Sequence, residues 1–210
     1  MKIYRFLEDG PRPTKIVAVG RNYADHAKEL GNEPPAEPII FLKPPSALLP
    51  HQGTIIRPPQ SQRVDHEGEL AIVIGKRARN VKSGNWRDFV KGFTCANDVT
   101  ARDLQKKDVQ FTRGKSFDTF CPIGPCIETD LDPADLSLVT RVNGQIKQNG
   151  RTGMMIFPCS VIVEFITGVM TLEPGDVILT GTPAGVGPLQ SGDMVEVEIE
   201  GIGTLRNHVA

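Results

Sequence analysis

RVDHEGELAIVIGK, residues 63–76, carries the pattern that decides how this chain folds. From Glu67 to Ile74 the residues alternate as a strand does, so Leu70, Ile72 and Ile74 supply one apolar face. Glu67 and Glu69 then project together from the other face. Two adjacent glutamates on one sheet face repel each other, and a hard divalent cation between them is the simplest relief. A solvated, metal-free face is the plainer alternative. Asp98 closes a second expected strand, 92–96, and is followed by an expected helix. Rigid scaffolds commonly carry functional groups at such strand ends.

Working outward, 17 prolines and 21 glycines punctuate many short apolar runs. That punctuation favours tight turns and a β-rich fold over a helical bundle. Strands are expected over 1–8, 15–19, 39–42, 54–57 and 177–180. A closing hairpin is expected from 194–199 and 204–209. Asn143-Gly144, between strands 139–142 and 145–147, suits a turn with two positive φ angles. Three helices are expected: 23–30 capped by Asn22 and stopped at Gly31, about 100–107 capped by Thr100, and about 160–170 capped by Ser160. The expectation is one α+β, β-rich domain over 1–210 with a few short helices, residues 1–14 forming a short N-terminal appendage.

The composition excludes several classes. Net charge is −1 and aromatic content 6 %, so a nucleic-acid partner or an anionic membrane surface is not expected. No apolar run is long enough for a membrane span, and the charged start MKIYRFLEDG does not read as a secretory signal. Cys95, Cys121, Cys126 and Cys159 lack zinc-site spacing and read as reduced, buried thiols of a cytoplasmic protein. Gly114-Lys115-Ser116 fails as a phosphate loop because Val109 stands where a glycine is needed. LTGTPAGVG, residues 179–187, lacks dinucleotide-site spacing, although amides in such a turn can bind carboxylate oxygens.

Other candidates come from spacing. His26 and Glu29, three apart on one helix face, suit a general base oriented by a carboxylate. Their short helix, followed by Gly31-Asn32 and Pro34-Pro35, suits a lid. Arg102 and Gln105 share a face that suits a substrate carboxylate. Lys43, Lys115 and Thr182 carry weaker signals of the same kind.

Taken together, GRNYADHAKE (20–29), FLKPPSAL (41–48), DHEGELAIVIGK (65–76), NDVTARDLQ (97–105), KSFD (115–118) and LTGTPAGVGPLQSGD (179–193) resemble the fumarylacetoacetate hydrolase family, in its own motif order. The likeness runs from about Lys15 to the C-terminus and is nearest the short acylpyruvase and oxaloacetate decarboxylase branch. It implies a mixed β-sandwich or β-roll, usually a homodimer, with magnesium or manganese held by Glu67, Glu69 and Asp98. It implies His26, Glu29 and Lys115 as catalytic groups, and Arg21, Lys43, Arg102, Gln105 and Thr182 as substrate contacts. The implied function is metal-dependent C–C bond hydrolysis or lysis of a small 2-oxo acid, an acylpyruvate or oxaloacetate, through a metal-stabilised pyruvate enolate. Oxaloacetate tautomerisation and isomerisation of a 2-hydroxyhepta-2,4-diene-1,7-dioate are the alternatives within that chemistry. A non-catalytic module stabilised by a structural ion is the alternative outside it.

Overall fold

The computed structural model describes residues 12–210, so the expected strand 1–8 and most of the appendage 1–14 lie outside the described residues. Gly68–Ile74 is a strand buried along its whole length. Leu70, Ile72 and Ile74 join one apolar cluster, while Ala71 and Val73 join another on the opposite face. The unbroken apolar run from Leu70 to Ile74 is what a strand covered on both faces requires.

This strand lies fourth in a seven-stranded mixed sheet. The order is Ile39–Lys43, Ile16–Gly20, Val177–Leu179, Gly68–Ile74, Val90–Asn97, Cys121–Glu128 and Leu48–Pro50. A second sheet runs Gln145–Arg151, Ser137–Val142, Met194–Ile199, Gly203–Val209 and Thr54–Ile55. Its Leu138, Val197, Ile199 and Leu205 meet the Leu70 face of the first sheet, as do Ile162, Val163 and Ile166 of the Cys159–Val169 helix. The result is the β-rich α+β architecture that the proline and glycine punctuation predicts. Asn143 and Gly144 take φ values of 52° and 77°, as the hairpin reading requires. A small third sheet of Gly187–Pro188, Val64–His66 and Thr100–Ala101 gathers the glycine loop, the segment before Glu67 and the start of the Arg102–Asp108 helix.

The helices form where expected, but none is capped as expected. Ala24–Glu29 has Tyr23 at its N-cap without a side-chain bond, because the Asn22 side chain is engaged elsewhere. Arg102–Asp108 starts after Ala101, since Thr100 sits in a strand and its hydroxyl donates to the Asp98 carbonyl at 2.8 Å. Ser160 lies inside the first turn of its helix, which begins after Pro158. The strand Cys121–Glu128 escapes the sequence reading because Pro122 and Pro125 argue against a ladder. It is accommodated where its register with Val90–Asn97 shifts, between Phe93 and Cys95. The four cysteines are buried free thiols, and burial pushes Cys121 and Cys159 up to about 12. Among the described residues no helix is long and apolar enough to cross a membrane.

Candidate active site and metal centre

Antiparallel pairing of Gly68–Ile74 with Val90–Asn97 sets Gly68 opposite Asn97 and Glu69 opposite Ala96. The ladder continues one step further, where the Asp98 amide donates to the Glu67 carbonyl at 2.8 Å. Asp98 is thereby brought against both glutamates. One oxygen from each of Glu67, Glu69 and Asp98 lies within 4.8 Å of the others, and all three residues are buried. Only glycine fits between the glutamates, because a Cβ on Gly68 would stand 2.1 Å from the Thr140 hydroxyl.

Three buried cations face this cluster. Lys115 Nζ donates to Glu67 Oε2 at 2.7 Å and to Asp98 Oδ2 at 2.6 Å, and it lies 5.3 Å from the centre of the Phe41 ring. Lys43 Nζ donates to Asp98 Oδ1 at 2.6 Å. Arg102 binds Glu67 Oε1, donates from Nε to Asp65 Oδ2 at 2.9 Å, and reaches Gln105 Oε1 at 2.7 Å. Burial opposes ionisation of Glu67, but Lys115 and Arg102 outweigh it and hold the carboxyl below its ordinary range. The reverse holds for Glu69. Burial, then Asp98 and Glu67, push its carboxyl well above the ordinary range, with Lys115 and the Gly181 amide opposing.

The dyad comes from the other side. His26 is 4 % exposed, and its Nδ1 lies 3.3 Å from Glu29 Oε2. The Gly185 amide donates to both Glu29 oxygens, at 3.1 and 3.2 Å, and the Gly181 amide donates to Glu69 Oε2 at 2.6 Å. The glycine loop does bind carboxylates, as its composition suggests, but they are the protein's own. Gly181 has φ 97°, and a Cβ there would come within 2.7 Å of the Asn22 Cβ, so this approach requires glycine.

These groups line one cavity of about 540 Å³. Of the residues singled out in the sequence, all but Lys43 reach its wall; Lys43 stands behind Asp98. Thr182 lines it with a hydroxyl already engaged, donating to the Gly68 carbonyl at 2.8 Å and accepting from Gln148 at 2.7 Å. The sequence reading missed Asp65, Arg63 and Phe41. Asp65 was within reach: it has the same strand parity as Glu67 and Glu69. Arg63, two residues earlier again, shares that parity, whereas Phe41 carried no such signal.

The donor set suits a hard divalent cation. Three convergent carboxylates offer only oxygen, and a dication cancels the repulsion that Asp98 and Glu67 impose on Glu69. Because the cavity opens onto the cluster, a bound ion there would keep positions free for water or a ligand.

The chain is similar to known proteins over nearly its whole length. Residues 15–210 match the model of the fumarylacetoacetate (FAA) hydrolase C-terminal domain. An uncharacterized protein of Methanocaldococcus jannaschii is 61 % identical over 198 residues, covering 94 % of this chain and 84 % of that one. The mitochondrial oxaloacetate tautomerase FAHD2A of Bos taurus is 46 % identical over 216 residues, covering 97 % of this chain and 69 % of that one. The crystal structure of 2-hydroxyhepta-2,4-diene-1,7-dioate isomerase from Mycobacterium marinum superposes with a TM-score of 0.89 at 52 % identity, covering 96 % of this chain and 76 % of that one. Motif order, fold and near-complete coverage agree, and the chain belongs to the fumarylacetoacetate hydrolase family.

Proposed function

We propose that this chain moves a proton at the carbon next to the 2-oxo group of a small dicarboxylic acid. The reaction is keto–enol tautomerisation of oxaloacetate, or isomerisation of a longer unsaturated diacid. The observation that carries the reading is a carboxylate-held histidine, His26 on Glu29, sharing one cavity with Lys115 and the three carboxylates. The names of the bovine and Mycobacterium marinum relatives support it. Carbon–carbon cleavage of an acylpyruvate or of oxaloacetate, the first expectation from the motifs, ranks second, because those relatives are named for enol chemistry.

A divalent ion such as magnesium or manganese, held by Glu67, Glu69 and Asp98, would supply Lewis-acid polarisation of the 2-oxo group. With Glu29 accepting the Nδ1 proton, His26 presents Nε2 as the base that takes the proton from C3. The Lys115 ammonium stabilises the charge that develops on the 2-oxo oxygen. The imidazolium then returns a proton to that oxygen, and the enol leaves with no net change in the protein's protonation. Arg102, Gln105 and Arg21 orient the substrate carboxylate next to the 2-oxo group. Burial of His26 and Lys115 limits access of bulk water to both groups.

The test is oxaloacetate with Mg²⁺, followed at the enol absorbance while pyruvate is quantified separately. Faster keto–enol exchange without pyruvate is the expected result, with His26→Gln slowing it by roughly a hundredfold or more. Exchange at the uncatalysed rate would overturn the reading, and stoichiometric pyruvate would replace it with decarboxylation. The homodimer is part of the same proposal, and sedimentation at micromolar concentration tests it.

A further inference from the structure

One wall of the cavity carries more cationic charge than the carboxylate cluster uses. Lys115, Lys43 and Arg102 are committed to Glu67 and Asp98, and Arg102 also to Asp65 and Gln105. Arg63 is not committed in the same way. Its Nε donates to Asp65 Oδ1 at 2.9 Å, its side chain is 53 % exposed, and it lines the cavity. Among the described residues its two terminal nitrogens have no partner.

The placement of Arg63 is built. Asp65, fully buried, gives one oxygen to Arg63 and the other to Arg102. The Arg102 amide donates to the Arg63 carbonyl at 2.8 Å, so the two arginines start side by side. Lys106, one helical turn beyond Arg102, lines the same cavity, is exposed, and makes no ion pair among the described residues. A monoanion bound through a divalent ion at the carboxylate cluster would leave this positive wall unanswered, whereas a dianion would answer it. Arginine's planar fork matches a carboxylate, and holding Nε on Asp65 leaves the far edge of that fork to a ligand.

We infer that Arg63, with Lys106 beside it, receives the distal carboxylate of a 2-oxo dicarboxylic acid, and that Asp65 is the residue positioning it. This makes the site selective for diacids over neutral-tailed acylpyruvates, and it rests on the reading of the cavity as a 2-oxo acid site. A carboxylate held this way at a half-open rim adds about tenfold in affinity.

The experiment is calorimetry in Mg²⁺ with 2-oxoglutarate and 2-oxopentanoate, which match in length and differ in the distal carboxylate. The full chain should bind 2-oxoglutarate about tenfold more tightly. Arg63→Gln should bring the ratio of the two affinities close to one, and Arg63→Lys should leave it between. A ratio near one in the unaltered protein, or the same ratio in Arg63→Gln, overturns the inference. So does loss of oxalate binding in Arg63→Gln, since oxalate needs no distal subsite and its loss would give Arg63 a purely structural role. The two proposals fail separately: an Arg63-dependent ratio without oxaloacetate exchange leaves the subsite standing and removes the tautomerase.

Discussion

Glu69 differs from its two neighbours in what holds it. Glu67 and Asp98 each meet two cations, whereas Glu69 receives the Gly181 amide and, among the described residues, no ion pair. Its charge is therefore the one most dependent on a bound ion. Glu69→Gln resembles the neutral carboxyl in shape and keeps an oxygen for the Gly181 amide. The variant should fold and melt at or above the temperature of the metal-free parent at neutral pH, yet bind Mn²⁺ roughly a hundredfold more weakly or worse. Titration calorimetry paired with a melting curve checks both halves; Mn²⁺ affinity within a few fold of the parent would remove Glu69 from the ligand set. At this scale the sequence was informative where period-two parity speaks, at Glu67 and Glu69. It gave only weak signals for Lys43 and Lys115, whose buried contacts with Asp98 are 55 and 17 residues distant in the chain.

The helix Ala24–Glu29 has only six residues and would not persist in isolation. Asn22, just before it, provides an anchor. Its side-chain amide donates to the carbonyls of Thr180 at 2.7 Å and Phe157 at 3.1 Å, while its oxygen accepts from the Phe157 amide at 2.8 Å. This residue ties the dyad's helix to the glycine loop and to the segment before the Cys159–Val169 helix. Asn22→Ala removes three bonds from a fully buried position and should cost about 2–3 kcal/mol of stability. Its kinetic effect should fall on kcat, through misplacement of His26, more than on Mg²⁺ affinity. Equal losses in both would show that Asn22 supports the whole site rather than the dyad. Sequence spacing assigned Asn22 to a cap because a cap is a local bond, whereas its partners stand more than 130 positions away.

For the whole molecule, the cluster links stability to pH in two opposed ways. Glu67 is held below its ordinary range, so its contribution is present above the unfolded value of about 4.3 and is lost as pH falls below it. Glu69 is held above its range, so the metal-free fold keeps a proton that the unfolded chain releases. That contribution is complete below about pH 4.3 and is lost as pH rises through the folded value. Magnesium requires the ionised carboxylate, so its stabilisation should grow as pH increases from 5 to 8. At a hundredfold excess over Kd the rise in Tm should reach roughly 5 to 10 °C at the upper end. Melting curves in EDTA and in Mg²⁺ across that range test the linkage; a metal-induced shift independent of pH would mean that Glu69 is already ionised before the ion arrives.

Local pattern was enough for the β-rich class, the strand that carries Glu69 with Glu67 just before it, the Asn143-Gly144 hairpin and the approximate position of every described α-helix longer than one turn; that this strand is covered on both faces was not legible in it. Each of these depends on alternation, turn chemistry or helical spacing within about a dozen residues. The family's motifs extended that reading to the candidate site. The strand order, the Cys121–Glu128 strand with its two prolines, and the interlocked pairs Arg63–Asp65–Arg102–Glu67–Lys115–Asp98–Lys43 were decided only by the fold. Long-range pairing leaves no periodic trace, and a buried charge is tolerated only when distant segments bring it a counter-charge.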